Sequence, residues 1–300
     1  MLKRLFRWAV ALAIVGAAVF WWVTSPNTLP DDALAGLEPD LERGETVFNA
    51  SNCASCHAAP KAEGEEKLVL VGGRSFPSPF GTFLSPNISP DKEHGIGNWS
   101  AMDLANAMTR GVSPNGQHYF PAFPYTSYAK AELGDVVSLH AYLMTLPASA
   151  EPSKPHEVGF PFNIRRSLGG WKFLFYKDDW VLSEGLTEAE ERGRYLVEAL
   201  GHCGECHTPR NPLGGLNLGS WLGGAANPAG KGRIPNITPA VLDWSEPDIA
   251  EYLKSGFTPE FDTAGGHMVE VVENFALLSQ EDRDAVAAYL KKVAPVDDPK

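Results

Sequence analysis

Two short stretches of the chain share one pattern, Cys53-Ala-Ser-Cys56-His57 and Cys203-Gly-Glu-Cys206-His207, and together they use all four cysteines. Two thiols three positions apart on one helical turn can each add to a vinyl group of a single porphyrin. The histidine that follows is then carried under the ring, where it can bind iron as the proximal ligand. The pattern predicts two covalently attached c-type haems, held by Cys53, Cys56, Cys203 and Cys206, with His57 and His207 as axial ligands.

Other uses of a Cys-x-x-Cys pair are a disulfide, a redox dithiol and half of a zinc site. A shared zinc site would require the two pairs to meet across about 150 residues of sequence. A dithiol does not require histidine at the next position. The double occurrence, with no cysteine left over, favours haem.

The surroundings of the two motifs repeat. Leu41-Glu-Arg-Gly-Glu precedes the first motif as Glu190-Glu-Arg-Gly-Arg precedes the second, and Pro86-Asn-Ile-Ser-Pro90 corresponds to Pro235-Asn-Ile-Thr-Pro239. The cysteine motifs are offset by 150 residues, the Pro-Asn-Ile elements by 149, and the serines Ser100 and Ser245 by 145. These nearly constant offsets indicate a tandem duplication.

Each copy also predicts two helices after its motif. Ser100 and Ser245 follow a tryptophan and precede an acidic first turn, which is typical of helix N-caps. His140-Ala-Tyr-Leu and Ala287-Ala-Tyr-Leu then lie in an amphipathic helix that closes each copy. We therefore expect an all-α fold of two tandem cytochrome c domains, each wrapped round one haem.

The domain boundaries follow from this repeat. Residues 36–150 form the first predicted cytochrome c domain and residues 184–295 the second. Between them, residues 151–183 are rich in aromatic side chains. A free tether would be poorer in such side chains, so the segment packs against the domains, against a partner or against a membrane surface. Of these, we expect docking on the domains.

The N-terminal segment, residues 1–25, predicts export. Lys3, Arg4 and Arg7 precede an uncharged run from Trp8 to Val23, and Trp21 and Trp22 lie at its far end. The run is short for a bilayer span, but interfacial aromatics and the lack of a convincing cleavage site favour a retained anchor. The expected location is the periplasmic side of the bacterial inner membrane, with cleavage and release into the periplasm as the alternative.

The composition fits an exported electron carrier better than a nucleic-acid binder. The chain has 37 acidic and 25 basic side chains, a net charge of −12, and its basic residues are scattered apart from the N-terminal group. An acidic body would suit a partner with a basic docking patch, although acidity also simply aids solubility.

The sixth iron ligand differs between the copies. Met268, in a glycine-bounded loop before the last helix, is well placed to give its thioether to the second haem, with His267 as a competitor. The corresponding stretch of the first copy, Gly116–Tyr125, has Phe123 where the thioether is expected. Three outcomes remain for the first haem. His118 binds, which is the outcome we expect; or a methionine from elsewhere binds (Met102, Met108 or Met144); or the position is open.

The whole chain from residue 40 onward resembles the membrane-anchored dihaem cytochromes c of bacteria, whose relatives are cytochrome subunits of periplasmic alcohol, aldehyde and sugar dehydrogenases. The stretches that carry the resemblance run from Pro86 to Trp99, from Pro121 to Tyr128 and from His202 to Asn211. In that family the Pro-Ala-x-Pro-Tyr element often carries a methionine ligand. Phe123 occupies that place here, whereas Met268 matches the ligand of the second domain.

The resemblance implies a non-catalytic electron-transfer subunit that accepts electrons from a dehydrogenase and passes them to quinone, a soluble cytochrome or an oxidase. The alternative is a dihaem redox enzyme, peroxidase-like or oxidising sulfur compounds, which would use an open site at the first haem. A haem-based sensor would also need an open site, but the sequence has no signalling domain to report it.

Overall fold

The computed structural model describes residues 1–228, 230 and 232–298. Within them twelve α-helices follow one another: α1 (Leu2–Val23), α2 (Leu41–Ala50), α3 (Cys53–His57), α4 (Ala101–Ala105), α5 (Tyr125–Tyr128), α6 (Leu133–Leu143), α7 (Ser167–Phe175), α8 (Glu188–Arg194), α9 (Gly204–His207), α10 (Glu246–Ser255), α11 (Met268–Phe275) and α12 (Gln280–Lys292). The helices α4 and α8 continue into π-helical segments, Asn106–Arg110 and Tyr195–Leu200. Short 3₁₀ turns cover Gly64–Leu68 and Leu218–Ser220.

Two small antiparallel hairpins interrupt the helices. Strand β1 (Ser75–Ser78) pairs with β2 (Gly81–Leu84), and β3 (Ala225–Ala226) pairs with β4 (Arg233–Ile234). The fold is therefore mostly helical, and the all-α expectation missed these hairpins. They are short, and Pro77 lies within β1, so they lack the alternating pattern by which a strand is recognised in sequence.

The predicted N-caps are confirmed. The Ser100 side chain accepts a hydrogen bond from the Asp103 backbone N–H while the Asp103 carboxylate accepts one from the Ser100 N–H, a reciprocal capping box. Ser245 and Asp248 form the same pair at the start of α10. Each cap satisfies backbone donors that the first turn of a helix leaves unpaired, which fixes where α4 and α10 begin.

Both halves of the chain contain a close helix pair. The helix before each cysteine motif crosses the last helix of the same half, α2 against α6 and α8 against α12. Glycine lies at each crossing. A Cβ atom at Gly44 would be 2.8 Å from Tyr142 Cβ, and one at Gly193 would be 2.8 Å from Tyr289 Cβ. Only a residue without a side chain allows the backbones to approach this closely.

The segment after each cysteine motif is also repeated. The Gly72 N–H donates to the His57 carbonyl at 2.6 Å, and the Gly224 N–H donates to the His207 carbonyl at 2.7 Å. A turn further on is closed by the bridge Val112–His118 in the first half and by Phe257–Thr263 in the second. Counting from these bridges, Phe123 and Met268 each lie five residues beyond the second bridge residue, so they occupy the same position in the two halves.

The buried core runs through both halves as one cluster. It contains Phe48 and Leu139 from the first half and Leu196, Phe275 and Tyr289 from the second. A small satellite cluster of Phe83, Phe120 and Leu168 lies under the segment that joins the halves. The two halves therefore pack on each other through apolar side chains.

Helix α1 is exposed along its length and is long and apolar enough to cross a membrane, as a signal sequence also can be. Its end packs on the rest of the chain. Thr24 is 1% exposed, its carbonyl accepts a hydrogen bond from His118 Nε2 at 3.0 Å, and its hydroxyl accepts one from Arg166 Nε at 2.8 Å. The folded body thus includes the residue that follows α1.

Candidate haem-attachment sites

The first cysteine motif is the helix α3 itself. The preceding residue, Asn52, adopts the left-handed conformation (φ 52°), which turns the chain sharply from α2 into α3. Cys53 and Cys56 then lie one turn apart, partly exposed and not in a disulfide. His57 at the end of the turn shares a 2.9 Å hydrogen bond between its Nδ1 and the Pro86 carbonyl oxygen. A hydrogen bond of this kind fixes the ring orientation and directs Nε2 toward an iron ligand position.

The second motif has the same geometry. His202, before Cys203, is also in the left-handed region (φ 42°). His207 Nδ1 lies 2.8 Å from the Pro235 carbonyl oxygen, the counterpart of the His57–Pro86 contact. The repeated Pro-Asn-Ile element, which the sequence identified without a role, therefore orients the histidine of each motif.

Burial distinguishes these thiols from reactive ones. Burial raises the pKa of Cys53 and of Cys203 to about 12 each, and that of Cys56 to about 11. Such thiols stay protonated near neutral pH, whereas a thioredoxin-type dithiol needs a lowered pKa. Among the described residues, no group of three or more His, Cys, Asp or Glu side chains is placed to hold a metal ion. The dithiol and the shared zinc site therefore have no support in the geometry, and the two Cys-x-x-Cys-His turns fit covalent haem.

The residues just before the two motifs touch each other. The Ser51 carbonyl accepts a hydrogen bond from the Tyr128 hydroxyl at 3.3 Å, and His202 Nε2 lies 3.3 Å from the same oxygen. The Tyr128 and His202 rings pack edge to face with centres 5.7 Å apart. Cys206 is also close enough to Cys56 to raise the pKa of the Cys56 thiol, after the larger effect of burial. The two attachment motifs therefore meet at one interface.

Each motif is also held by a helix from the opposite half. The Glu205 carboxylate, inside the second motif, accepts hydrogen bonds from Thr126 Oγ1 at 3.0 Å and Ser127 Oγ at 3.2 Å, both on α5. Asn274 Nδ2, on α11, donates to Ser55 Oγ inside the first motif at 2.8 Å. The arrangement is reciprocal, because α5 and α11 hold corresponding positions in the two halves.

The structure places Met268 at the first residue of α11, half-buried, next to this interface. Phe123 precedes α5 at the corresponding position and packs against the Tyr119 and Tyr128 rings, with centres 5.7 and 5.8 Å away. The thioether and the phenyl ring therefore occupy equivalent positions, as the sequence alignment of the halves predicts.

The structure places the His118 side chain in a packed turn beside the end of α1, and its ligation of the first haem stays a prediction. Its ring is 3% exposed and Nε2 bonds to the Thr24 carbonyl at the end of α1, while Arg165 donates to the His118 carbonyl at 3.0 Å. It corresponds to Thr263 in the second half, not to Met268. In the sequence, His118 is the histidine nearest to the position where the thioether is expected. The close packing of α1 against this turn could not be read from the sequence.

The cytochrome c family profile matches residues 41–147. A dihaem cytochrome c-type protein of Cereibacter sphaeroides is 53% identical over 296 residues, which cover 99% of this chain and 100% of that protein. The cytochrome subunit of fructose dehydrogenase from Gluconobacter japonicus is 39% identical over 90% of this chain and 56% of the subunit. The cytochrome c subunit of a quinone alcohol dehydrogenase from Gluconobacter oxydans is 33% identical over 98% and 61%. This chain therefore spans the full length of the first relative but little more than half of the other two.

Proposed function

The chain belongs to the cytochrome c family and carries two c-type haems, and we propose that it transfers electrons between a periplasmic dehydrogenase and the respiratory chain. Electron transfer itself follows from the dihaem relatives. The dehydrogenase and the acceptor (quinone, a soluble cytochrome or an oxidase) are the proposal. Support for the donor comes from relatives that are cytochrome subunits of fructose, gluconate and alcohol dehydrogenases.

In this proposal each Cys-x-x-Cys-His turn holds one haem. Cys53 and Cys56 attach the first haem and His57 binds its iron. Cys203 and Cys206 would attach the second, and His207 and Met268 would be the ligands of its iron. The haem supplies reversible one-electron chemistry, and the protein fixes the ligand orientation through the carbonyls of Pro86 and Pro235.

The two haems lie in separate domains, residues 36–150 and 184–295, with residues 151–183 docked between them. The matched helix pairs and matched histidine contacts of the two halves support this division. So does the linker, in which Trp171 Nε1 donates to the Leu213 carbonyl at 2.8 Å and the Tyr176 hydroxyl donates to the Thr109 carbonyl at 2.7 Å.

The observation that carries the function is the contact between the two motifs. The carbonyl oxygen of Ser51, two residues before Cys53, lies 3.3 Å from Nε2 of His202, which directly precedes Cys203. Two haems attached at such turns would be close neighbours, so an electron accepted by one can pass to the other without a mobile carrier.

We place the protein on the periplasmic side of the inner membrane, with α1 as a retained anchor. The charged residues before α1 and the tryptophans at its end support this orientation. The burial of Thr24 argues against cleavage near the end of α1, because removal of α1 would expose the groups that bond to Thr24.

A second candidate function rests on Phe123. A phenyl ring cannot bind iron, so the sixth ligand of the first haem is His118, as we propose, or Met102, Met108 or Met144, or the position is open. An open iron would permit a peroxidase-like or sulfur-compound-oxidising activity.

The test uses the full chain in detergent, matured with both haems. Ferrous protein that binds no carbon monoxide and is reoxidised by a respiratory acceptor supports the transfer function. Peroxide or thiosulfate turnover at enzymatic rates would refute it and favour the second candidate. Reduction by a sugar or alcohol dehydrogenase fraction, but not by its substrate alone, would support the proposed donor.

A further inference from the structure

Exposed apolar side chains are concentrated in the segment that packs on the end of α1. Phe160 and Phe173 are 82% and 73% exposed, and Leu174 is 56% exposed. They belong to the linker segment, residues 160–174, which leads into and includes most of α7. Large apolar side chains concentrated in one exposed stretch mark a contact surface rather than ordinary solvent-facing structure.

The last turn of α1 is fixed against this segment. The Arg166 guanidinium lies 4.1 Å from the centre of the Trp21 ring, and Gly169 is so close to Thr24 that a Cβ atom there would be 2.8 Å from the Thr24 carbonyl carbon. Tryptophans at the end of a spanning helix lie at the level of the lipid headgroups. The start of α7 therefore lies at that level as well.

We propose that residues 160–174 form a membrane-contacting surface. Phe160, Phe173 and Leu174 would enter the interfacial layer of the bilayer, and Arg166 would lie among the lipid phosphates. The proposal rests on α1 as a membrane anchor and goes beyond it. Because Lys172 Nζ donates to the Arg110 and Gly111 carbonyls at 2.6 and 2.7 Å, the contact would also hold the first haem domain in one orientation on the membrane.

The test reconstitutes the full haem-loaded chain in vesicles that contain a lipid with a photoreactive diazirine in its acyl chain. After illumination, lipid adducts are mapped by mass spectrometry. We expect adducts on α1 and on residues 160–174. Phe257 and Phe261 are the internal control and should carry no adducts. They are 54% and 87% exposed but lie in the second half of the chain, outside the proposed surface.

Two results overturn the proposal. Adducts on α1 without adducts on residues 160–174 would reject the surface and leave the anchor intact. A chain without adducts on α1 would reject the anchor and the surface together. A variant with Phe160→Ser and Phe173→Ser should lose adducts in the segment at least tenfold while α1 remains labelled.

A second inference comes from a different place, the contact between the first motif and the ligand helix of the second haem. Arg74, in the first half, donates to both carboxylate oxygens of Glu270 at 2.6 Å, and its other terminal nitrogen lies 2.9 Å from His267 Nδ1. The same guanidinium donates to the carbonyl of Ser55, inside the first cysteine motif. Arg74 therefore joins the first motif to the residues on either side of Met268.

The ion pair between Arg74 and Glu270 is better shielded from solvent than a typical surface ion pair. The Arg74 and Glu270 side chains are 23% and 33% exposed, and one nitrogen serves both carboxylate oxygens. A nearby pair offers a comparison, because Lys67 Nζ lies 2.6 Å from Glu273 Oε2 on the same helix, with side chains 34% and 51% exposed. Exposed pairs of this type contribute little.

We infer that Arg74 is a positioning residue that holds Met268 in place for the second haem. If the ion pair is lost, α11 is free to move away from the interface, and the thioether at its first residue moves with it. This rests on the proposed ligation by Met268. It also makes the coordination of the second haem depend on a residue from the domain of the first.

The test compares Arg74→Gln with the matched control Lys67→Gln in the full haem-loaded chain. The readouts are the thioether-to-ferric-iron charge-transfer band, the midpoint potential of the second haem and the rate of carbon monoxide binding to the ferrous protein. Arg74→Gln should weaken the band, lower the potential and speed carbon monoxide binding about tenfold or more, the factor that follows when a hydrogen bond to a charged group is lost. Arg74→Lys should show smaller changes than Arg74→Gln in all three readouts, and Lys67→Gln should leave all three unchanged.

Equal values for Arg74→Gln and the wild type would overturn the inference. Met268→Leu separates this result from a failure of the ligand assignment. If Met268→Leu leaves both the charge-transfer band and the midpoint potential of the second haem unchanged, Met268 is not the ligand and the proposed ligation fails. If Met268→Leu loses the band while Arg74→Gln keeps it, only the positioning role fails.

Discussion

The crossing of α8 and α12 gives a prediction in which two effects oppose each other. Gly193 is in the body of α8, where replacement by alanine would by itself stabilise the helix by about 1 kcal/mol. The new methyl group, however, would lie 2.6 Å from the Ala285 carbonyl carbon and 2.8 Å from Tyr289 Cβ. Carbon atoms in contact are normally about 3.5–4.0 Å apart, so the helices would have to separate by roughly 1 Å.

That separation is costly because the contact surface is fully packed. Tyr289 is 0% exposed and Val286 is 2% exposed. A gap of about 1 Å forfeits up to half of the dispersion energy of the atoms on either side, and overpacking of cores costs about 1–3 kcal/mol or more. We expect the clash to exceed the propensity gain, so that Gly193→Ala lowers the free energy of unfolding by about 2 kcal/mol.

The assay is urea unfolding of the haem-loaded chain in detergent, followed by the Soret band and by tryptophan fluorescence. The matched control is Gly170→Ala in α7. Among the described residues outside its own stretch of helix, the nearest atom to a Cβ there is Thr24 Cγ2 at 3.9 Å. The control should be as stable as the wild type or slightly more stable. If Gly193→Ala matches its control, the two helices do not cross closely enough for the glycine to matter, and the reasoning is wrong.

Three further predictions concern the haem sites and the packing of α1. Met268→Leu should lower the midpoint potential of one haem and allow about one carbon monoxide to bind per chain. The reason is that thioether ligation raises the potential and closes the sixth position. An unchanged midpoint potential and unchanged carbon monoxide binding would contradict this. Phe123→Met should do the reverse at the first haem, raising its potential and removing any carbon monoxide binding there; the same two measurements test it. Burial lowers the pKa of His118 below its ordinary 6.5, against the opposing effect of its hydrogen bond to Thr24, so the folded chain keeps it neutral where the unfolded chain protonates it. Stability should therefore be fully present above pH 6.5 and fall as the pH drops below it, by at most about 1.4 kcal/mol per pH unit; urea midpoints between pH 7 and pH 5 should show a smaller fall for His118→Gln.

Much of the fold follows from local sequence signals. Ser100 and Ser245 could be read as caps because a cap and its acidic partner are three residues apart. The repeat likewise located the equivalence of Phe123 and Met268 before any coordinates, since it needs only a count along the chain. Features that depend only on residues close together in the chain, or on a repeated spacing, can therefore be predicted from the sequence.

What the sequence could not give are contacts between distant residues. Thr126 and Glu205 are 79 residues apart, and Asn274 and Ser55 are 219 apart, yet each pair forms a hydrogen bond at the interface of the motifs. The hydrogen bond between His118 and Thr24, which are 94 residues apart, is a contact of the same kind. The choice of these partners depends on how the halves pack, and a single sequence contains no periodic pattern that reports it.

The reciprocal contacts and the shared core imply that the two haem sites act as one unit. Helix α5 holds the second motif and α11 holds the first, so a displacement of either helix is felt at the opposite haem. Phe123 precedes α5 and Met268 begins α11, at equivalent positions of the two halves. The backbones therefore match, while the side chain that we propose to tune the iron differs. If Met268 ligates the second haem as we propose and no methionine ligates the first, the first haem has the lower potential, and electrons flow from the first haem to the second. The direction of transfer is then set by a single difference between two copies of one structure.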